Sequence, residues 1–317
     1  MLQLNSSFQF VMADVYTNPE KHVLLHNNVK MPLLGLGTSH DGGYNHEAVV
    51  YALKSCDYRH IDTAKRYGCE KYIAQAIKDS GVPREEVFLT TKCWPTDYGT
   101  SATQEAFSGS CQRLEVNYLD LYLLHWPDVP SGVRDKNSLL QDTWRTLELL
   151  LDEERVRSIG VSNFLEPHLE VILSECSVVP HVNQCEFHPY NNPKRLRTYC
   201  KERNIQFEGY CPLGNGQILT EPSIQDIAQK HNRSPAQILI RWNLQNKVVC
   251  IPKSTKKHRV KENSEVFDFE LMAEDMDTLN NMAQKIQIMD PSTIQAKIDN
   301  PLPDGYKLKL VQIPLEP

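Results

Sequence analysis

Eight short apolar runs, each rich in β-branched residues, constrain the fold of this chain more than any other feature. They lie at residues 31–38, 58–64, 87–93, 119–126, 156–163, 181–187, 205–213 and 248–254. Near-continuous apolar runs of this kind suit strands that are buried on both faces, as in a parallel sheet. Because helical patterns separate the runs, we predict an α/β protein built as a closed (β/α)8 TIM barrel.

Helical patterns fill the spaces between these runs. They cover residues 47–55, 73–80, 101–115, 138–154, 193–203 and a segment that begins at Ser234. Ser234 is followed by Pro235 and Gln237, which predicts an N-cap serine, a proline at the first helical position and a capping box. Ser101 and Gln104 have the same Ser-x-x-Gln spacing, so we predict that another helix begins there in the same way.

Shorter elements are predicted at both ends of the barrel sequence. Apolar residues at 22–25 and 29–33 flank an Asn-Asn pair, which is a hairpin signal. Patterns near 258–264 and 273–283 predict short C-terminal helices. From residue 291 onward prolines recur and no helix is predicted. We therefore divide the chain into an extension without regular structure (1–21), a barrel (22–290) and an irregular tail (291–317), which is either disordered or packed over the barrel mouth.

The charge and hydropathy patterns exclude several classes of function. The 317 residues carry a formal net charge of −6, whereas a nucleic-acid-binding domain normally presents a basic field. No apolar run approaches the roughly 20 residues that cross a bilayer. No basic flank precedes the apolar residues 8–12, so no secretory signal is predicted. We expect a cytoplasmic protein that binds neither nucleic acid nor membrane.

Cysteine and histidine spacing argues against disulfides and metal ions. The nine cysteines are odd in number and include no Cys-x-x-Cys pair, which is typical of reduced thiols. His181 and His188 lie seven residues apart across a predicted strand and turn, and this is not a zinc-ligand spacing. No metal site is predicted.

Ionisable residues follow three successive apolar runs. Asp62 lies near the end of the second run and Tyr67 follows that run, while Lys92 and His125 lie at the ends of the third and fourth runs. The carboxyl ends of barrel strands converge on one face, where catalytic groups collect. A phenol has an ordinary pKa of about 10, which a neighbouring ammonium would lower, while a carboxylate would hold that ammonium in place. Each residue alone has a structural explanation, but the four together predict an enzyme.

The second half of the chain carries groups that suit a phosphorylated ligand. Lys253, Ser254 and Arg259 lie at a predicted helix start, where the helix dipole and the side chains both favour phosphate. A solvated basic run is the alternative for this segment. Ser162 with Asn163, and Gln184 on the next run, are placed to bind an amide, while Tyr210 offers a flat ring on which a nicotinamide could stack.

These motifs, taken in order, resemble the aldo-keto reductase family over roughly residues 22–285. They are MPLLGLGT (31–38), YRHIDTA with YG (58–68), TKCW (91–94), LDLYLLHWP (119–127), IGVSNF (159–164), NQ with HPY (183–190), GY with PLG (209–214) and IPKS (251–254) with Arg259, Glu262 and Asn263. The family has a (β/α)8 barrel that binds NADPH in extended form. The absence here of Gly-x-Gly-x-x-Gly agrees with that expectation.

The resemblance implies a role for each matching residue. Tyr67 would be the general acid that protonates the carbonyl oxygen, Lys92 would lower the pKa of Tyr67, Asp62 would pair with Lys92, and His125 would orient the carbonyl. Contacts with NADPH or NADP+ are expected from Thr38, Asp62, Ser162, Asn163, Gln184, Tyr210, Leu213, Lys253, Ser254, Arg259, Glu262 and Asn263. We choose NADPH over NADH because Lys253, Ser254 and Arg259 would meet the adenosine 2′-phosphate.

The chain departs from the family pattern around the substrate. Ser39 stands where well-known members have a tryptophan, so Trp94 and Trp126 are expected to be the two aromatic walls. Cys211 replaces a serine that could bond the pyrophosphate, and a thiol is a poor donor. The short connections 128–137 and 215–222 predict an open cleft. Residues 306–313 of the tail are expected to fold over the barrel mouth.

Two other functions compete with a monomeric reductase of small-molecule carbonyl compounds. A cofactor-binding regulatory or scaffold protein with little turnover could keep the same barrel, but retention of Asp62, Tyr67, Lys92 and His125 argues against a degenerate site. A sugar isomerase would need carboxylate and histidine metal ligands at the strand ends, and the sequence shows none.

Overall fold

The computed structural model describes residues 21–39, 43–282 and 287–300. The expected N-terminal extension and the proposed cover at 306–313 therefore lie outside the described residues, apart from Lys21. A hairpin opens the described chain: β1 (His22–Leu24) pairs antiparallel with β2 (Lys30–Pro32), and Asn28 takes the left-handed conformation in the turn, with φ of 65°. The predicted hairpin is confirmed.

Eight parallel strands follow, in the sequence order that the apolar runs predict. They are β3 (Leu36–Gly37), β4 (His60–Asp62), β5 (Phe88–Cys93), β6 (Leu121–Leu124), β7 (Ile159–Ser162), β8 (Val182–Glu186), β9 (Gln206–Tyr210) and β10 (Val249–Cys250). A parallel bridge between Leu34 and Cys250 joins the first strand to the last, with Gly35 N 2.9 Å from Cys250 O and Cys250 N 2.8 Å from Leu33 O. The (β/α)8 barrel is confirmed.

Helices cover the outside of the barrel. The described residues contain α1 (His46–Ser55), α2 (Glu70–Ser80), α3 (Thr100–Leu114), α4 (Lys136–Asp152), α5 (Glu166–Leu173), α6 (Lys194–Glu202), α7 (Pro222–His231), α8 (Pro235–Gln245), α9 (Lys257–Ser264), α10 (Ala273–Asn280) and α11 (Ile294–Asp299). Ser234 caps α8, and the capping box with Gln237 is present. The predicted cap at Ser101 is wrong: Gly99, with φ of 100°, is the N-cap of α3, and its amide is bound by Thr143 Oγ1.

The interior of the barrel has an apolar base and a polar top. Leu25 and Met31 of the hairpin segment are buried against Phe88, Leu121, Leu123, Val182 and Val249, which closes the amino end of the barrel. At the other end, Asp62, Lys92 and Gln184 are buried polar residues. A larger apolar cluster lies between the outer faces of the strands and the helices. The polar groups therefore collect at the end where β4 and β5 finish.

A C-terminal segment crosses this polar end. Glu186, the last residue of β8, accepts hydrogen bonds from the backbone N–H groups of Ile288 and Met289, both at 2.7 Å. The segment continues into α11, whose Ile294 and Ile298 are buried. The prediction that no helix follows residue 291 is therefore wrong for 294–299, and these residues pack on the barrel.

No helix in the described ranges is long and apolar enough to cross a bilayer. The same residues hold no group of three or more His, Cys, Asp or Glu side chains that could bind a metal ion.

Candidate active site

A buried ion pair lies at the carboxyl end of two neighbouring strands. Asp62 ends β4, and Lys92 is on β5 beside it. Lys92 Nζ lies 2.7 Å from each carboxylate oxygen of Asp62 and 3.0 Å from the carbonyl oxygen of Thr63. Burial is the largest single effect and lowers the pKa of Lys92, but Asp62, Tyr67 and Glu208 together outweigh it and hold that pKa above its ordinary value. The ammonium therefore stays charged inside the barrel.

Tyr67 stands directly above this pair. It ends a short 3-10 turn, Lys65–Tyr67, which Gly68 closes in the left-handed conformation. The Tyr67 hydroxyl lies 3.4 Å from Lys92 Nζ. Burial raises the pKa of Tyr67 to about 12, although Lys92 acts to lower it and Asp62 acts to raise it. The sequence predicted the effect of the ammonium correctly in sign, but burial is the larger effect.

His125 completes the group around the Tyr67 hydroxyl. It follows β6 directly, and its backbone N–H is held by Cys93 O of β5 at 3.0 Å. The imidazole stands edge-on to two rings, with its centroid 5.6 Å from that of Tyr67 and 5.1 Å from that of Trp94. The structure thus brings together Asp62, Tyr67, Lys92 and His125 around one space.

One wall of this space is a set of hydrogen bonds between residues on or just after four strands, β6 to β9. Tyr210 OH donates to Asn163 Oδ1 at 2.7 Å, and Asn163 Nδ2 donates to His125 O at 2.9 Å. Ser162 Oγ donates to Gln184 O at 2.9 Å. Asn163 has φ of 66°, a conformation that asparagine tolerates better than most residues. The predicted amide-binding residues therefore form one continuous surface.

Two buried residues beneath this wall, Glu208 and His60, were not predicted as site residues from the sequence. Gln184 Nε2 donates to Asp62 Oδ2 at 2.9 Å and to Glu208 Oε2 at 2.8 Å. Glu208 Oε1 lies 3.6 Å from Nε2 of His60. Burial lowers the pKa of His60 to about 3, so its imidazole is neutral. Strand alternation could have predicted Glu208, because residues 208 and 210 are two apart and therefore point to the same face of β9 as each other.

The predicted phosphate-binding residues lie around the end of β10 and the start of α9. Lys253 Nζ is 2.6 Å from Ser39 O, which ties this segment to the end of β3. Ser254 Oγ accepts a hydrogen bond from the backbone N–H of Lys256 at 3.1 Å, and Arg259 is exposed. These three residues offer two positive charges and a hydroxyl to an anion.

Other predicted cofactor contacts are already engaged with the protein. The Glu262 carboxylate accepts a hydrogen bond from Ser234 Oγ, and Asn263 is buried. Thr38 Oγ1 donates to Asp62 O at 2.8 Å, so it ties β3 to β4. Leu213 is half-buried and precedes the short turn Gly214–Gly216.

The predicted aromatic walls are covered by the C-terminal segment. Trp94 and Trp126 form one apolar cluster with Ile294 and Ile298, and Met289 packs against it. Ser39, the third predicted pocket residue, is half-buried at the end of β3. The short loops predict an open cleft, but α11 covers Trp94 and Trp126 and leaves both buried.

Comparison with known proteins shows which family shares this sequence. The family model described as Aldo/keto reductase family matches residues 33–284. An uncharacterised oxidoreductase of Caenorhabditis elegans is 50% identical over 286 residues, covering 90% of this chain and 88% of the relative. Glyoxal reductase of Bacillus subtilis is 48% identical over 266 residues, covering 83% and 93%.

A solved structure agrees with these sequence matches. An aldo-keto reductase from a deep-sea metagenome library superposes with a TM-score of 0.79 at 41% identity, covering 84% of this chain and 97% of that one. Both the barrel and the sequence over most of its length are therefore shared with these proteins, and the chain belongs to the aldo/keto reductase family.

Proposed function

We propose that this protein reduces aldehydes or ketones to alcohols with NADPH, and that Tyr67 is the general acid. The observation that carries the proposal is the geometry around one hydroxyl: Tyr67 OH lies 3.4 Å from a charged Lys92, which both oxygens of Asp62 hold at 2.7 Å. The His125 ring, just after β6, stands edge-on to the Tyr67 ring with the two centroids 5.6 Å apart. A carbonyl oxygen placed between Tyr67 and His125 would meet a proton donor and an orienting imidazole.

The amide and hydroxyl groups of the hydrogen-bonded wall support a nicotinamide as the ligand, although their N–H and O–H donors are bonded within the protein. Ser162, Asn163 and Gln184 supply amide and hydroxyl groups, and Tyr210 stands at their end with an aromatic ring. Lys253, Ser254 and Arg259 supply the charge and hydroxyl that a 2′-phosphate requires. When bound, the reduced nicotinamide supplies hydride to the carbonyl carbon.

The protein groups then manage the proton and the charge. Tyr67 keeps its proton at neutral pH, since the ordinary pKa of a phenol is already about 10 and burial raises that of Tyr67 to about 12. Its hydroxyl donates that proton to the carbonyl oxygen, and the tyrosinate that remains is stabilised by the Lys92 ammonium. Asp62 keeps Lys92 in place throughout. Proton donation of this kind is worth about 10²–10⁴-fold in rate.

The apolar walls and one relative support a choice of first substrates. Trp94 and Trp126 with Ile294 and Ile298 give an apolar site beside His125. The glyoxal reductase of Bacillus subtilis, similar over 83% of this chain, supports small dicarbonyls as one substrate class. We therefore propose small aldehydes and dicarbonyls as the first substrates.

The test follows NADPH absorbance with glyoxal or 4-nitrobenzaldehyde as substrate. Tyr67→Phe removes only the hydroxyl, so kcat is expected to fall about 10²–10⁴-fold while NADPH still binds. NADH in place of NADPH is the cofactor control, and Tyr51→Phe, a tyrosine on α1, is the matched substitution. Equal turnover by wild type and Tyr67→Phe would remove Tyr67 as the acid.

The second candidate is a cofactor-binding scaffold with little turnover. No turnover by wild type, together with quenching of tryptophan fluorescence on addition of NADPH, would favour it over the reductase.

A further inference from the structure

A second carboxyl group is sealed beneath the Asp62–Lys92 pair. Glu208 on β9 is fully buried, and its Oε2 accepts one hydrogen bond, from Gln184 Nε2 at 2.8 Å. Its Oε1 has no hydrogen-bond partner within the described ranges. The same Gln184 nitrogen donates to Asp62 Oδ2 at 2.9 Å. Gln184 therefore bridges two buried carboxyl groups, with one N–H for each.

No positively charged group in the described ranges donates a hydrogen bond to Glu208. Lys92 has three N–H groups, and Asp62, Thr63 O and Tyr67 OH already use them. His60, the basic residue nearest to Oε1, is neutral because burial lowers its pKa to about 3. Two carboxylates against one ammonium would leave a net negative charge in a sealed interior, which is strongly unfavourable.

We propose that Glu208 is a positioning residue that holds a proton: as a neutral acid it fixes the Gln184 amide and leaves Lys92 to Asp62 and Tyr67. Oε2 would then be the carbonyl oxygen that accepts the Gln184 N–H. The proton would lie on Oε1, which is 3.6 Å from Nε2 of His60, a nitrogen that also lies 3.2 Å from Thr90 Oγ1. The consequence for turnover rests on the function proposed above. The protonation of Glu208 itself does not, and it is measured separately.

Ionisation of Glu208 is expected to change the hydrogen bonds of Gln184 and Lys92. The ionisable groups that face its carboxyl are Asp62 and His60 on β4, Lys92 on β5 and Cys250 on β10. Burial and the Asp62 charge raise the pKa of Glu208 to about 8, while Gln184 and Lys92 oppose the rise. The acid is thus neutral below this pH and charged above it. A charged Glu208 would compete for Lys92 and turn the Gln184 amide.

Infrared spectroscopy tests the proton directly, without turnover. The infrared spectrum of wild type minus that of Glu208→Gln, both at neutral pH, is expected to show the C=O stretch of a protonated carboxylic acid. This band should disappear as the pH is raised. Protein labelled with carboxyl-13C glutamate should shift the same band in the unmodified chain, so the test survives poor folding of the variant. Glu186→Gln is the matched control, since Glu186 is also buried but accepts four hydrogen bonds. Absence of a glutamate-derived acid band would overturn the proposal.

Initial rates of aldehyde reduction test the positioning role. About one molecule in ten keeps the neutral acid one pH unit above a pKa of about 8, so wild-type kcat/KM should fall about tenfold between pH 7 and pH 9. Glu208→Gln, a neutral isostere, should flatten that profile, whereas Glu208→Leu should lower kcat/KM at both pH values. An unchanged profile in Glu208→Gln, or equal behaviour of the two variants, would refute the positioning role. Lack of turnover in wild type would instead count against the proposed function and leave the infrared result standing.

Discussion

Lys92 carries a charge in a place where burial alone would remove it. Its Nζ is held by both oxygens of Asp62 at 2.7 Å, and the pKa of Lys92 is raised despite burial. A group whose pKa is raised on folding adds stability at pH values below its unfolded pKa and loses it as the pH rises through the folded value. The ion pair therefore stabilises the fold at the pH at which the enzyme is expected to work.

Removing one partner is expected to cost more than removing both. Lys92→Met leaves the Asp62 carboxylate buried without a counterion, so the free energy of unfolding should fall by about 3–5 kcal/mol. Lys92→Met with Asp62→Leu should recover most of that loss, although both variants should be inactive. Denaturant unfolding followed by circular dichroism measures the difference. If the double variant has no higher free energy of unfolding than Lys92→Met alone, the unpaired charge of Asp62 is not the cause of the loss.

The sequence predicted the functional residues at the carboxyl ends of the strands better than those within the strands. Asp62, Lys92 and His125 could be found because each ends an apolar run. Glu208 lies between Phe207 and Gly209 inside such a run, where one ionisable residue does not by itself indicate a functional site. Nothing in the sequence states that Gln184 will bridge Glu208 to Asp62, because that contact joins residues 24 and 122 positions apart.

The elements were predictable where a periodic pattern was long. The eight strands and the capped helix α8 were found from local sequence, but α5 and α7 were not, and α11 was excluded because prolines surround it. Helix α11 has only six residues, too few to be stable alone. Its stability comes from Ile294 and Ile298 against Trp94 and Trp126, which are far away in the sequence.

Glu186 is expected to control whether this segment stays in place. Burial opposes its charge, but hydrogen bonds from His188 and from the N–H groups of Met289 and Ile288 keep the pKa of Glu186 below its ordinary value. Glu186→Ala removes the acceptor of two charge-assisted bonds, each worth about 1.5–3 kcal/mol.

Amide hydrogen exchange measures the release. Protection of residues 288 and 289 should drop at least tenfold in Glu186→Ala, and acrylamide should quench more tryptophan fluorescence because Trp94 and Trp126 become exposed. Glu105→Ala, at an exposed position on α3, is the control. Unchanged protection at 288 and 289 would mean that the isoleucines alone hold the segment.

At the scale of the whole molecule, stability and chemistry lie at opposite ends of the barrel. The hairpin closes the amino end with Leu25 and Met31, while the ionisable groups occupy the carboxyl end. The sequence predicted a hairpin with apolar flanks, which forms the base of the barrel. It did not predict that Met31 packs with Phe88 and Val249, because this cluster depends on barrel closure, which local sequence does not specify.

Truncation at the base should therefore affect stability and spare turnover. Met31→Ala leaves a cavity in a closed cluster, so the free energy of unfolding should fall by about 2–5 kcal/mol. The kcat of the folded fraction should stay within about twofold. Leu24→Ala, at a position that is 58% exposed, should change stability by less than about 0.5 kcal/mol. A large fall in kcat for Met31→Ala at temperatures where it is folded would show that the two ends are coupled.

The attachment of the C-terminal segment has a consequence for how such a protein can change over evolution. Glu186 binds the main chain of residues 288 and 289, and any amino acid except proline offers the same N–H groups. Side chains on the segment can therefore be exchanged while the attachment persists. The side chains that cover Trp94 and Trp126 can therefore be replaced without rebuilding the ion pair of Asp62 and Lys92.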